Sequence, residues 1–220
     1  ILASLVGSEM CIRDRDYNRY NANGIDLNRD AQALTQNESL VLKEAFNNFE
    51  PNFCFNMHDQ RSIYSVGGTK NSAGLSFLAP AEDNNRSISS NRRQAMGVIS
   101  EINSVLQLFS PNKISRFEDS FNINCVGDLF QSLGVPTILF EAGHLVDYHR
   151  EDTRKYMLMA LVSAFRTISQ KIVPKDMLIS YLDIPENKPL YYDVLIKNVS
   201  IKNGNPQTKD IGIRYEEILN

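Results

Sequence analysis

An α/β domain is predicted, with apolar strands set between amphipathic helices and a small β-hairpin at the C-terminal end. Three features of the sequence carry that prediction. Two short apolar runs, 53–59 and 135–141, have the length and the aromatic or β-branched content of buried strands, and each ends in polar side chains. Segments with apolar residues at helical spacing surround them, at 37–49, 87–109 and 151–172. Beyond residue 190 the period changes to alternation, the pattern of paired strands.

Composition bounds the function. The chain has 220 residues, 42% of them hydrophobic, with a formal net charge of -3: one sizeable core, and no basic cluster to attract nucleic acid. No apolar run approaches the roughly 20 residues needed to cross a bilayer, so neither nucleic acid nor membrane is an expected partner. Cys11, Cys54 and Cys125 are scattered and odd in number. That argues against a disulfide framework or a cysteine zinc site and favours a reducing compartment such as the cytoplasm. Residues 1–15 are set aside as non-native, because Ile1 is not a start residue and 4–15 resembles translated sequencing-adapter read-through. The apolar run 1–6 has no basic flank before it and no small-residue cleavage pattern after it, so it is not read as a signal peptide. On this reading the protein begins upstream, and any address it carries lies there.

In chain order, Thr35-Gln36-Asn37-Glu38 fits a capping box, and Leu40, Val41, Ala45, Phe46 and Phe49 give 37–49 one apolar face before Pro51 ends the helix. The run 53–59 follows as a strand of a parallel sheet with His58 at its C-terminal end, where open α/β sheets keep their sites. Glycines 67, 68 and 74 with Pro80 make 65–86 a long loop near His58, the kind that serves as a lid. Ile88, Met96, Ile99, Ile102, Val105, Leu106 and Phe109 form the stripe of a helix over 87–109, stopped by Ser110-Pro111-Asn112. A polar stretch then leads to a short helix around 128–132, closed by Gly134 as a left-handed cap. The strand 135–141 ends in Glu141. The stripe from Tyr156 to Ile168 supports a helix over 151–172, with Glu151 and Asp152 placed well for its dipole and Pro174 marking its end. Finally, 190–201 and 211–218 alternate around Asn203-Gly204-Asn205-Pro206, a β-hairpin with an edge strand expected near 178–182. This divides the chain into 1–15, a domain over 16–174 and a β extension over 175–220.

The chemistry is concentrated in Arg19 to Asp30, which packs turn formers, carboxylates and two arginines with almost no apolar content. Asn23-Gly24 reverses the chain. Ile25 and Leu27 alternate with Asp26 and Asn28, which predicts a short extended piece presenting Asn28 and Arg29 to an open pocket. An Asn-Arg pair suits a carboxylate, because the guanidinium fork makes two charge-assisted bonds and the amide adds a third donor. Glu141 points the same way, since a carboxylate ending an apolar strand costs free energy unless it is partnered or used.

Arg19-x-Asn21-x-x-Gly24-x-Asp26-Leu27-Asn28-Arg29 resembles the substrate-grip motif of the zinc carboxypeptidases of the carboxypeptidase A-like family. Phe55-Asn56-Met57-His58-Asp59 is similar to the strand that supplies that family's second zinc-binding histidine, and Thr137-Ile138-Leu139-Phe140-Glu141 to the strand bearing its catalytic glutamate. The order of the three is the family's order. The resemblance spans about 19–172 and implies a partial catalytic domain with a mixed sheet flanked by helices, one Zn2+, and a peptide or small acyl-amino-acid substrate. It implies His58 as a zinc ligand and Glu141 as the carrier of the proton from a zinc-activated water. It further implies Arg19 facing the developing oxyanion, with Asn28 and Arg29 holding the substrate's terminal carboxylate.

The sequence departs from the family in three places. The first zinc motif, His-x-x-Glu, is absent and must lie upstream; one imidazole cannot supply the three protein ligands of a catalytic zinc. His144 and His149 follow Glu141 in a loop and are assigned structural or supporting roles. The family's substrate-capping tyrosine has no match before Glu141, where Phe121, Asn122 and Asn124 stand. Glu141-Ala142-Gly143 resembles the related succinylglutamate desuccinylase and aspartoacylase branch. The expected function is therefore a zinc metallocarboxypeptidase, of which this chain is a fragment that is inactive and binds zinc poorly. Two alternatives stand beside it: an amidohydrolase acting on N-acyl amino acids, and a catalytically inactive module that binds carboxylate termini.

Overall fold

The computed structural model describes residues 19–145, 150–171, 177–200 and 208–214. Strands β1 (Cys54–Asp59), β3 (Leu75–Leu78), β4 (Ile114–Arg116) and β5 (Thr137–Ala142) form one mixed sheet in the order β1-β5-β3-β4. β5 runs parallel to β1 and antiparallel to β3, and β3 runs parallel to β4. The helices are α1 (Asn37–Phe49), α2 (Ser90–Gln107), α3 (Val126–Ser132), α4 (Glu151–Ser169) and α5 (Met177–Leu182). Among the described residues, no helix is long and apolar enough to cross a membrane.

The two-residue period of a strand gives the sheet two chemically different faces. Ile138 and Phe140 of β5, Leu75 and Phe77 of β3 and Ile114 of β4 are buried in the core with Met96, Ile99 and Ile102 of α2 and Ala160 and Ala164 of α4. Phe140 anchors this side, edge-on to Phe77 at 5.4 Å and tilted against Phe55 at 5.0 Å. Two aromatic pairs sharing one ring add stabilisation beyond area burial, so truncating Phe140 is expected to cost about 3–5 kcal/mol. The alternate residues, Asn56 and His58 on β1, Leu139 and Glu141 on β5, and Ser76 and Ser115 in register beside Glu141, occupy the opposite face. That face carries the crevice described below.

Several local expectations are corrected. The helix 37–49 has the expected bounds, but its N-cap is Gln36 and no capping box forms: the Thr35 hydroxyl donates to Asp30 Oδ1 at 2.7 Å instead. The stretch 65–86 is not a lid. It holds the pair β2 (Ser65–Val66) with β6 (Asn187–Lys188) and the central strand β3, whose four residues are all buried. Residues 25–28 do not extend, because Asp26 Oδ1 accepts from Asn28 N and closes a single 3-10 turn over Leu27–Arg29. The strand expected near 178–182 is the helix α5. Tyr181 at 1% exposure and Ile184 at 2% lie in the main core, and the buried backbone N–H of Ala79 donates to the Tyr181 hydroxyl. Residues 177–188 thus contribute to the same core as the segment before them. The hairpin is present as β7 (Val194–Ser200) paired antiparallel with β8 (Thr208–Ile213); its connection, including Asn203 and Gly204, lies outside the described residues.

Candidate functional site

The turn bearing the two arginines is tied together by its own side chains. Asn21 Oδ1 accepts from the backbone N–H of Asn23 and of Ile25, both at 3.0 Å, while Gly24 takes the left-handed conformation (φ 74°) that reverses the chain. Asp30, 3% exposed, accepts from Thr35 N, Thr35 Oγ1 and Gln36 N, which ties the turn to the start of α1. Burial drives this carboxyl upward, but hydrogen bonds led by the Thr35 hydroxyl outweigh it and hold its pKa at about 2. Asn28 Oδ1 accepts from Val126 N at 3.1 Å, joining the turn to the first residue of α3. Because a backbone donor fixes which end of the amide is oxygen, the two Asn28 N–H groups point away from α3. Arg29 is exposed and, among the described residues, its guanidinium bonds to the backbone oxygen of Asn28 at 3.0 Å.

His58 and Glu141 are directly opposite one another on the neighbouring parallel strands β1 and β5. Glu141 is 8% exposed. His58 donates from Nε2 to Asn56 Oδ1 at 3.0 Å, so its own strand neighbour on the same face orients the ring. One residue further along, Arg150 Nη2 bonds both Asp59 Oδ1 (2.5 Å) and Ala142 O (2.7 Å), pinning together the ends of the two strands. Behind them is a buried polar seam. Ser76 Oγ donates to Gln60 Oε1 at 2.6 Å, Asn187 Nδ2 donates to the same oxygen at 3.0 Å, and Ser115 Oγ lies 2.6 Å from Ser76 Oγ.

The side chains predicted from the sequence meet in one crevice. Arg19, Asn28, Arg29, His58 and Glu141 all line a cavity of about 650 Å3. The Arg19 side chain, 55% exposed, forms an ion pair with Asp26 at 2.6 Å, which fixes its guanidinium against the turn. Phe121 and Asn122 also line this cavity, and Asn124 is not in its wall. His149 lies outside the described residues.

Other crevice residues were given no role by the sequence, among them Asn56, Asp128, Cys125 and Arg61. Asn56 was legible, since two residues before His58 on a strand is the same face. Asp128, on α3, carries no such signal: burial pushes its carboxyl up to about 6, against the downward pull of the Asn122 N–H. Burial likewise raises the Cys125 thiol, which makes it a poor nucleophile. Arg61 follows the end of β1 and is exposed on the rim.

The metal implied by the resemblance does not fit these residues alone. Among the described residues, no group of three or more His, Cys, Asp or Glu side chains is gathered as a metal shell, whereas a catalytic zinc needs three protein ligands. No chemical step is therefore routed through zinc here. No protein-family model, curated protein or solved structure matches this chain.

Proposed function

We propose that this chain forms the carboxylate-binding part of a hydrolase that cleaves the bond next to the C-terminal residue of a peptide, as a zinc carboxypeptidase does. One observation carries the reading: an exposed Arg29 and an Asn28 whose amide N–H groups bond to none of the described residues line the same crevice as His58 and the buried Glu141. Arg29 takes the ligand's terminal carboxylate through its fork, and Asn28 adds the third donor. The bond before that terminal residue then lies across the ends of β1 and β5. There Glu141 is the group suited to take and return a proton, and His58 is suited to ligate a metal whose other ligands come from elsewhere.

Binding tests this directly. A blocked dipeptide with a free C-terminal carboxylate is expected to bind, and the same peptide as its C-terminal amide to bind at least about tenfold more weakly, because a charge-assisted bidentate contact is lost. Arg29→Gln should remove the distinction. Equal affinity for acid and amide refutes the reading.

A second reading, the binding module without catalysis, rests on the same Asn28 and Arg29 carboxylate grip and requires no metal. Peptide binding that survives chelator, with no metal-dependent turnover in the intact reading frame, distinguishes it.

A further inference from the structure

The arginines around the crevice divide into two groups. Arg19 is paired with Asp26, Arg86 with Glu118 and Asp119, Arg92 with Asp119, and Arg150 with Asp59. Arg29 and Arg61 have no carboxylate partner among the described residues, and both line the crevice. Two carboxylates of the same wall, Asp59 and Glu118, are engaged by Arg150 and Arg86. Arg61 is therefore a second crevice cation outside any ion pair among the described residues, although Arg29 is near enough to Asp128 to favour its charged form.

Its place along the cavity gives it a meaning. The turn bearing Arg29 is fixed at the level of Asn56, since Asn28 bonds Val126 N and the next residue, Gly127, sits so close to Asn56 that a Cβ there would meet its Nδ2 at 2.9 Å. From Asn56 the strand advances past His58 to Arg61, a rise of at most about 16 Å at the usual spacing per residue. Arg29 is carried by a turn packed near Asn56 and Arg61 follows the end of β1 beyond His58, and both line the crevice that holds His58. Beside Arg61 the wall is aromatic: Tyr64 and Phe117 meet edge to face, with ring centroids 5.6 Å apart.

We propose that Arg61 recognises a second anionic group on the acyl side of the bond, so that the crevice favours peptides with an acidic residue before the terminal one. This rests on the reading of Arg29 as the holder of the terminal carboxylate. A ligand of this class pairs with both guanidinium groups, and its carbon skeleton covers the Tyr64–Phe117 wall beside Arg61.

Three peptides separate the two claims: N-acetyl-Glu-Phe, N-acetyl-Gln-Phe and the C-terminal amide of the latter, titrated calorimetrically against the full chain at low ionic strength. The Glu peptide is expected to bind about threefold tighter than the Gln peptide, the scale of an exposed ion pair, and the advantage should shrink in about 0.5 M salt. Arg61→Gln should erase the preference, and Arg61→Glu should reverse it. Equal binding of the Glu and Gln peptides, or a preference that survives Arg61→Glu, overturns the inference while the carboxylate reading stands. Equal binding of the Gln peptide and its amide overturns both.

Discussion

Asp30→Asn tests how rigidly the carboxylate grip is held. The carboxyl next to Arg29 sits at about 2 against an ordinary value of 3.8, a gap worth about 2.4 kcal/mol if fully expressed. Its donors lie at the open start of a helix, where solvent screens them, so roughly 1–2 kcal/mol is the expected contribution. The sign follows from the direction: a carboxyl with a lowered folded pKa stabilises the fold above about pH 4, and the gain disappears as pH falls toward 2. Urea unfolding of the two proteins from pH 7 down to pH 2 measures it. The wild type should exceed Asp30→Asn by about 1–2 kcal/mol at pH 7, and the difference should close between pH 4 and 2. A difference under about 0.3 kcal/mol at pH 7, or one unchanged at pH 2, refutes the argument. If the reasoning is sound, Asp30→Asn also weakens peptide binding without touching the ligand, because the turn carrying Arg29 loses its tie to α1.

Asp128 carries the opposite sign. Its folded pKa of about 6 lies above the ordinary value, so ionisation costs stability as pH rises from about 4 through 6. After discounting for its partial exposure, Asp128→Asn should stabilise the chain by roughly 1–2 kcal/mol at pH 7 and by almost nothing at pH 4, read from the same urea titrations. Gly143→Ala places a Cβ 2.2 Å from Ala73 O and 2.9 Å from Gln60 Nε2, so a loss of at least about 1–3 kcal/mol and a lower Tm are expected. Cutting the chain after 174 removes the buried Tyr181, Ile184 and Asn187 and should abolish cooperative unfolding by circular dichroism. A cut after 190 should preserve it.

What the sequence made legible follows from the range of the interactions involved. The helix 37–49 and the strands ending in His58 and Glu141 are announced by local periodicity and by Pro51, and they form where periodicity puts them. The centre of the sheet is not announced. β3 has four residues between Gly74 and Pro80, and β4 has three; both depend on long-range pairing and burial that leave almost no periodic trace. α5 reads locally as a strand because Leu178, Ile179 and Tyr181 suit either structure, and Tyr181 settles it by reaching the Ala79 N–H. At the site, motif order and strand ends indicated which residues share a crevice. The ion pair of Arg19 with Asp26 was also within reach of sequence: a reversal at Asn23-Gly24 turns residues on either side toward each other. Asp128 was not, because its shifted acidity comes from burial among segments distant in sequence.

In the proposed binding mode, a terminal carboxylate held by Asn28 and Arg29 lays the adjoining bond across His58 and Glu141. A crystal structure of the chain with a bound blocked dipeptide measures this most directly. The account predicts the carboxylate within hydrogen-bond distance of the Arg29 guanidinium and Asn28 Nδ2, with the peptide carbonyl facing the ends of β1 and β5. A peptide seated elsewhere, or one whose carboxylate faces solvent while Arg29 is unoccupied, contradicts it.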